Sequence, residues 1–151
     1  ELVVVSPGEA LRSSVAISDE YKSGADIKFV SAISDEELAA LYQKAALFLF
    51  PTRYEGFGFP LLEAAKNNCL LLTSDIPALT EISSNMWVSR FSPDDLQGWV
   101  RHIEFLCRSV EEQSPVVRQM TQHNRQMADA FTWKETGRQT ADFLRTVLGS
   151  S

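Results

Sequence analysis

The run Phe50-Pro51-Thr52-Arg53-Tyr54-Glu55-Gly56-Phe57-Gly58-Phe59-Pro60-Leu61-Leu62-Glu63 decides how the whole chain is read. It follows on Leu47-Phe48-Leu49-Phe50, an apolar run that predicts a buried strand closed by Pro51. It leads into Leu61-Leu62-Glu63-Ala64-Ala65-Lys66, good helix formers with Pro60 at the predicted first position. Gly56 and Gly58 lie between these elements, and Glu55 and Glu63 flank the loop with seven residues between them. A strand, a glycine loop and a helix N-terminus make a place for an anion, because unpaired N–H groups converge there and the helix dipole is positive. Without side chains at the glycines, a phosphate can approach the backbone.

Working outward, Leu2-Val3-Val4-Val5 predicts a buried strand ended by Ser6-Pro7-Gly8. Between residues 9 and 21 the pattern permits a helix diluted by serines. Ile27-Lys28-Phe29-Val30 reads as the second strand, and Ser34 with Glu37 makes a capping box for a helix with Leu38, Leu41, Tyr42 and Ala45 on one face. Beyond the central run, residues 69–73 form the fourth strand, residues 78–83 a short helix, and Trp87-Val88 a last short strand. Three helices then close the chain. The first starts at Ser92-Pro93-Asp94-Asp95 and is expected to bury Leu96, Trp99, Val100, Ile103 and Leu106. The second follows Ser114-Pro115 and presents Val116, Met120, Met127 and Phe131. The third starts at Thr132, boxed by Glu135, and presents Trp133, Phe143, Leu144, Val147 and Leu148. Short apolar strands alternating with amphipathic helices imply an α/β fold with a mostly parallel sheet. Ligands of such sheets sit beyond the carboxyl ends of the strands, where the central loop lies.

The composition sets limits. With 151 residues, 44% hydrophobic and 23% charged, the chain has the size and make-up of one globular domain. No apolar run approaches a membrane span. A formal net charge of −6 argues against nonspecific nucleic-acid binding, although a nucleotide needs only a local cluster of donors. Cys69 and Cys107 stand in apolar contexts without metal-ligand spacing, so both are expected to be isolated buried thiols of a reducing compartment. His102 and His123 fall on helices, again without metal spacing.

The Glu55-to-Glu63 arrangement resembles the Glu–seven residues–Glu signature of the retaining glycosyltransferases with the GT-B fold. The resemblance extends over Ile33-Ser34-Asp35-Glu36-Glu37-Leu38-Ala39-Ala40-Leu41-Tyr42, over Ser74-Asp75 and Ala78-Leu79-Thr80-Glu81-Ile82, and over Phe131-Thr132-Trp133. It implies a Rossmann-like parallel sheet with helices on both faces, the C-terminal domain of a GT-B fold without its first strand and helix. Residues 1–151 are then one donor-binding domain, a fragment of a two-domain enzyme whose donor is a nucleoside-diphosphate sugar. Glu63, expected in about the first turn of its helix, would hold the ribose hydroxyls, since a carboxylate accepts two hydroxyl bonds at once. Glu55 would lie beside the transferred sugar, as a contact to its hydroxyls or as a stabiliser of developing positive charge. Gly56, Phe57, Gly58, Phe59, Leu61 and Leu62 would line the sugar and phosphates, all but Gly56 offering backbone N–H groups. Pro60 has none to offer. Ser31, Ala32 and Ile33 match the loop that meets the nucleobase, and Arg53 is within the same stretch as a phosphate ligand or a surface arginine.

The resemblance implies no metal or other cofactor. It implies a nucleotide sugar and an absent N-terminal acceptor-binding domain as partners, no nucleic acid, and membrane contact only through that absent domain. Cytoplasmic location follows, with the full protein able to sit at the inner face of the membrane. Asn68 and Leu70 depart from the glycine and proline usual there, and Ser6 from a glycine. The absent first strand belongs between Leu2-Val3-Val4-Val5 and Leu47-Phe48-Leu49-Phe50, so those two are expected to pair directly across the vacancy, with Val4 as the diagnostic residue. A noncatalytic nucleotide-binding or interaction module, or a sugar-nucleotide epimerase, would share the scaffold; an acceptor domain and a basic pair upstream would favour transfer.

Overall fold

The computed structural model describes residues 1–6 and 26–149. The helix permitted between residues 9 and 21 lies outside the described residues. The chain forms two compact units, Glu1–Ala40 and Leu41–Ser151.

In the first unit, β1 (Leu2–Ser6) and β2 (Ile27–Ser31) pair in parallel, Val4 opposite Phe29. Of the two strands expected to close the vacancy, β1 lies in the first unit and β3 (Leu47–Phe50) in the second, and the ladder partner of Val4 among the described residues is Phe29 of β2. Leu2 and Val5 are exposed, so β1 is not covered on both faces as its composition suggested. After β2 the capping box forms: Glu37 accepts from the Ser34 N–H at 2.8 Å, and the Ser34 hydroxyl accepts from the Glu37 N–H at 3.2 Å. It starts α1 (Asp35–Lys44), a helix that contributes residues to both units.

The second unit is built on a parallel sheet in the order β3-β4-β5, with β4 (Leu70–Ser74) in the centre. Leu49 lies opposite Leu72, and Thr73 opposite Arg90 of β5 (Ser89–Phe91). All five β4 residues are buried, as expected of a strand whose alternating side chains are covered on both faces. Leu70 and Leu72 form a core with Trp99 and Leu106 of α4 (Leu96–Glu111), the numbering allowing for α2 (Phe59–Lys66) and α3 (Pro77–Ile82) before it. Val117 and Met120 of α5 (Pro115–Asp129) complete this cluster, and α5 also packs against α2.

Two expectations change here. The last strand is Ser89–Phe91 rather than Trp87-Val88. Trp87 is held instead by a side chain: its N–H donates to Asn124 Oδ1 at 2.7 Å, and Asn124 Nδ2 donates to its carbonyl at 2.9 Å. The fully buried Asn124 amide thus does for one residue what a ladder would do. Helix α4 begins at Leu96 because Asp95, not Ser92, caps it, accepting from the Gly98 N–H at 2.9 Å. Along this helix Leu96 and Val100 are exposed, while Trp99 and Leu106 are buried.

Helix α6 (Trp133–Leu148) forms where expected, with Thr132 as its cap, and buries no residue. Trp133, Phe143, Leu144, Val147 and Leu148 are all exposed, as are Val116 and Phe131. Amphipathic spacing sets a helix and its apolar face; burial needs a neighbour as well. Cys69 is buried as expected, but Cys107 is exposed on α4. His102 is half-buried, with Nε2 2.6 Å from the Ser89 hydroxyl, and burial lowers its pKa. His123 stacks on Trp87 and donates from Nε2 to the Asn85 carbonyl at 2.8 Å.

Truncating the Asn124 amide orphans the Trp87 N–H and C=O together. Asn124→Ala should cost about 2–3 kcal/mol of stability, the range for buried groups left without partners. Urea denaturation of the variant measures it, and a loss under about 0.5 kcal/mol would mean that water replaces the amide.

Candidate functional site

The central run folds as a strand, a loop and a helix. β3 ends at Phe50, whose carbonyl accepts from the Thr52 N–H at 3.0 Å, and the Thr52 hydroxyl donates to the Tyr54 carbonyl at 2.8 Å. Helix α2 then starts at Phe59, with Pro60 in its first positions and no side-chain cap. Gly58 makes the turn between them. Its φ of 100° lies in the left-handed region, and a Cβ there would stand 2.6 Å from Leu79 Cδ2 of α3. Gly56 is different: a Cβ at that position would meet nothing within 4 Å. The loop's two glycines therefore do unlike things. Gly58 is demanded by backbone and neighbour, whereas Gly56 leaves open space beside the chain.

Among the described residues, the N–H groups of Gly56, Phe57, Gly58 and Phe59 have no hydrogen-bond partner. These are the donors that a helix N-terminus turns toward an anion. The Leu61 N–H is already used, donating to the Gly58 carbonyl at 3.0 Å, so it is not open to a ligand here. Side chains of Leu61 and Leu62 are buried and anchor the helix. Phe57 and Phe59 pack on each other, ring centroids 4.7 Å apart, and reach Phe131 and Trp133 at 6.5 and 6.2 Å.

Glu55 is half-buried in the loop and engages no partner among the described residues. Glu63 stands fifth in α2, past the first turn, so its position owes little to the helix dipole. It is exposed, and one of its oxygens, Oε2, accepts the Tyr42 hydroxyl at 3.2 Å. Tyr42 is itself buried at 8% exposure, its ring edge-on to Phe48 at 5.7 Å, and its carbonyl accepts from the Cys69 thiol at 3.2 Å. Burial, reinforced by the Glu63 carboxylate, holds the phenol well above its ordinary pKa, so it stays a neutral donor. Burial likewise pushes the Cys69 thiol up to about 11.

Arg53 makes a two-pronged ion pair with Asp94, which raises the arginine pKa and lowers that of the acid through their hydrogen bonds. Both groups are exposed, so the pair does little for stability, and it occupies the guanidinium. Ser31, Ala32 and Ile33 belong to the first unit, where the chain leaves β2 through Ala32 at φ 53°. The second unit therefore joins Glu55, the loop and Glu63 in one element pair. The sequence places Tyr42 on the apolar face of its helix without giving its hydroxyl a partner. A buried phenol requires one, and that requirement was the signal.

Parallel strands with a glycine loop opening onto a helix define a Rossmann-like α/β domain of the kind that glycosyltransferases with the GT-B fold contain. The chain belongs to the family described as Glycosyl transferases group 1, whose profile matches residues 1–116. It is 30% identical over 145 residues to the serotype-specific mannosyltransferase WbdA of Escherichia coli, covering 95% of this chain and 17% of that protein. It is 36% identical over 85 residues to the O-antigen chain mannosyltransferase RfbU of Salmonella typhimurium, covering 53% of this chain and 23% of that one. The chain thus spans well under half the length of these curated relatives. In three dimensions it resembles sucrose-phosphate synthase from Thermosynechococcus elongatus, with a TM-score of 0.80, 23% identity, and coverage of 99% of this chain and 39% of that chain. A glycosyltransferase from Rickettsia africae gives a TM-score of 0.82 at 15% identity, with coverage of 99% and 40%.

The contrast between the glycines is measurable. Gly58→Ala should cost about 2 kcal/mol or more, from the left-handed backbone alone roughly 1–2 and from the Leu79 contact besides. Gly56→Ala should stay within about 0.5 kcal/mol. Thermal denaturation of the two variants compares them directly, and equal losses would remove the distinction.

Proposed function

We propose that the chain is the donor-side domain of a retaining glycosyltransferase that moves a hexosyl group from a nucleoside-diphosphate sugar to a glycan or glycolipid acceptor. The observation that carries this reading is the row of unpartnered N–H groups from Gly56 to Phe59, set between Glu55 and Glu63. These donors suit the diphosphate and the sugar bound to it, and their charge-seeking geometry costs nothing to reorganise when an anion arrives. Mannose is the favoured sugar, because the relatives in E. coli and Salmonella are named as mannosyltransferases. A further relative in Komagataeibacter xylinus is named for GDP-mannose, which makes guanosine diphosphate the first nucleotide to try.

In this reading Glu63 accepts the ribose hydroxyls and Glu55 faces the transferred sugar. The leaving phosphate takes the acceptor's proton, with no protein nucleophile and no metal for the donor. Arg53 would have to release Asp94 before it could contact a phosphate. An acceptor-binding domain completes the site, and the domain described here transfers no sugar alone, since the reacting atoms are not brought together. The enzyme works in the cytoplasm, at the inner face of the membrane when its acceptor is a lipid. Among the described residues no helix is long and apolar enough to cross a bilayer.

Two substitutions in the intact enzyme separate the carboxylates. Glu63→Ala should weaken binding of the nucleoside diphosphate by about 1.5–3 kcal/mol, as expected for a hydrogen bond to a charged group. Titration calorimetry reads it, and unchanged affinity in the folded variant would leave Glu63 without a ligand. Glu55→Gln should lower kcat more than it lowers nucleotide affinity, because its partner is the transferred group. Steady-state kinetics with GDP-mannose test that, and wild-type turnover would take Glu55 out of the reaction.

A further inference from the structure

Every part of Tyr42 is accounted for except the direction of its hydroxyl. The ring is buried against Phe48, and the carbonyl receives the Cys69 thiol. The hydroxyl leaves this apolar surrounding to meet one oxygen of an exposed carboxylate, 21 residues further along the chain. Glu63 has no second side-chain partner among the described residues, so Tyr42 is the one group that restricts how its carboxylate turns. The two residues reach each other from different helices, the last turns of α1 and the second turn of α2, and both are within the second unit.

We infer that Tyr42 is a positioning residue for Glu63, holding Oε2 so that the carboxylate presents its remaining lone pairs to a vicinal diol. The inference rests on the proposed role of Glu63 as the ribose ligand. A glutamate has three rotatable side-chain bonds, and a free one samples many directions; one hydrogen bond from a rigid, buried ring removes most of that freedom before the ligand comes. An ionised carboxylate has about four lone-pair sites, so the bond from Tyr42 leaves enough for both hydroxyls of a ribose. The phenol is suited to the task because it donates without bringing a charge that would compete for the acid. Arginine or lysine in its place would occupy the carboxylate more tightly and offset the charge that a diol needs.

The test is ribose discrimination in the intact protein. Binding of GDP and 2′-deoxy-GDP, with UDP and 2′-deoxy-UDP in parallel, is measured by calorimetry for wild type, Tyr42→Phe and Glu63→Ala. Tyr42→Phe retains the buried ring, and far-UV circular dichroism with the thermal midpoint verifies that the variant folds. The expected result is that Tyr42→Phe weakens the ribonucleotide by about five- to tenfold and leaves the 2′-deoxy form at wild-type affinity. Glu63→Ala should abolish the preference for ribose altogether. If Tyr42→Phe retains the full preference while Glu63→Ala loses it, the role of Tyr42 is overturned and that of Glu63 stands. Equal weakening of both nucleotides by Tyr42→Phe also overturns it, since that is the mark of general loosening. Should Glu63→Ala bind all four nucleotides as wild type does, the ribose reading itself fails and the inference falls with it.

Discussion

Strand β4 is hydrogen-bonded along both edges, and none of its five residues reaches solvent. A strand in that position favours apolar side chains, and its sequence is accordingly Leu-Leu-Leu; the Thr73 hydroxyl then donates to the Ser74 carbonyl, while the buried Ser74 hydroxyl has no partner among the described residues. The other elements of the second unit are arranged by it. Leu70 and Leu72 draw in Trp99 and Leu106, β3 takes its register from Leu47 opposite Leu70, and α5 reaches both the sheet and α2. Because β3 is fixed in this way, the loop that follows Phe50 starts from a defined point at the carboxyl end of the sheet. The chemistry proposed for Glu55 and Glu63 thus depends on leucines that touch neither.

Rigidity in the site comes from packing more than from polar contacts. Helix α2 is seated by Leu61, Leu62, Ala64 and Ala65, all buried, while its N–H groups are left uncapped. A folded protein that leaves such donors uncapped keeps them for solvent or for a ligand. The aromatic contacts of Phe57 and Phe59 with Phe131 and Trp133 tie the loop to the start of α6, a helix that buries nothing of its own. Loop and helix are in this way parts of one exposed surface, and a change in the setting of α6 would be felt first at Phe57 and Phe59.

Much of this was legible in the sequence, and the reasons differ by element. The apolar run Leu47-Phe48-Leu49-Phe50, the capping box at Ser34 and Glu37, and the proline at the head of α2 are local signals, and local physics decides them. The loop carboxylates and glycines were visible as a motif. What was not legible needed a partner from far along the chain. Trp87 reads as strand, yet the buried Asn124 takes its backbone bonds. The face of α4 reads as core, yet Leu96 is exposed. Tyr42 falls between the cases: its face of the helix was legible, its hydroxyl's destination was not.

The 2.6 Å between a hypothetical Cβ on Gly58 and the end of Leu79 has a meaning for how such motifs are interpreted. That constraint exists with the site empty and with no reaction in progress. A descendant of this chain that had lost both carboxylates, and with them any use for a sugar, would still be unable to put alanine at residue 58 without displacing the Leu79 side chain and straining the backbone. The glycine would persist as a fossil of the scaffold. Its presence in a chain is therefore testimony about architecture, and evidence of living chemistry has to be sought at Glu55 and Glu63, which the fold by itself does nothing to preserve.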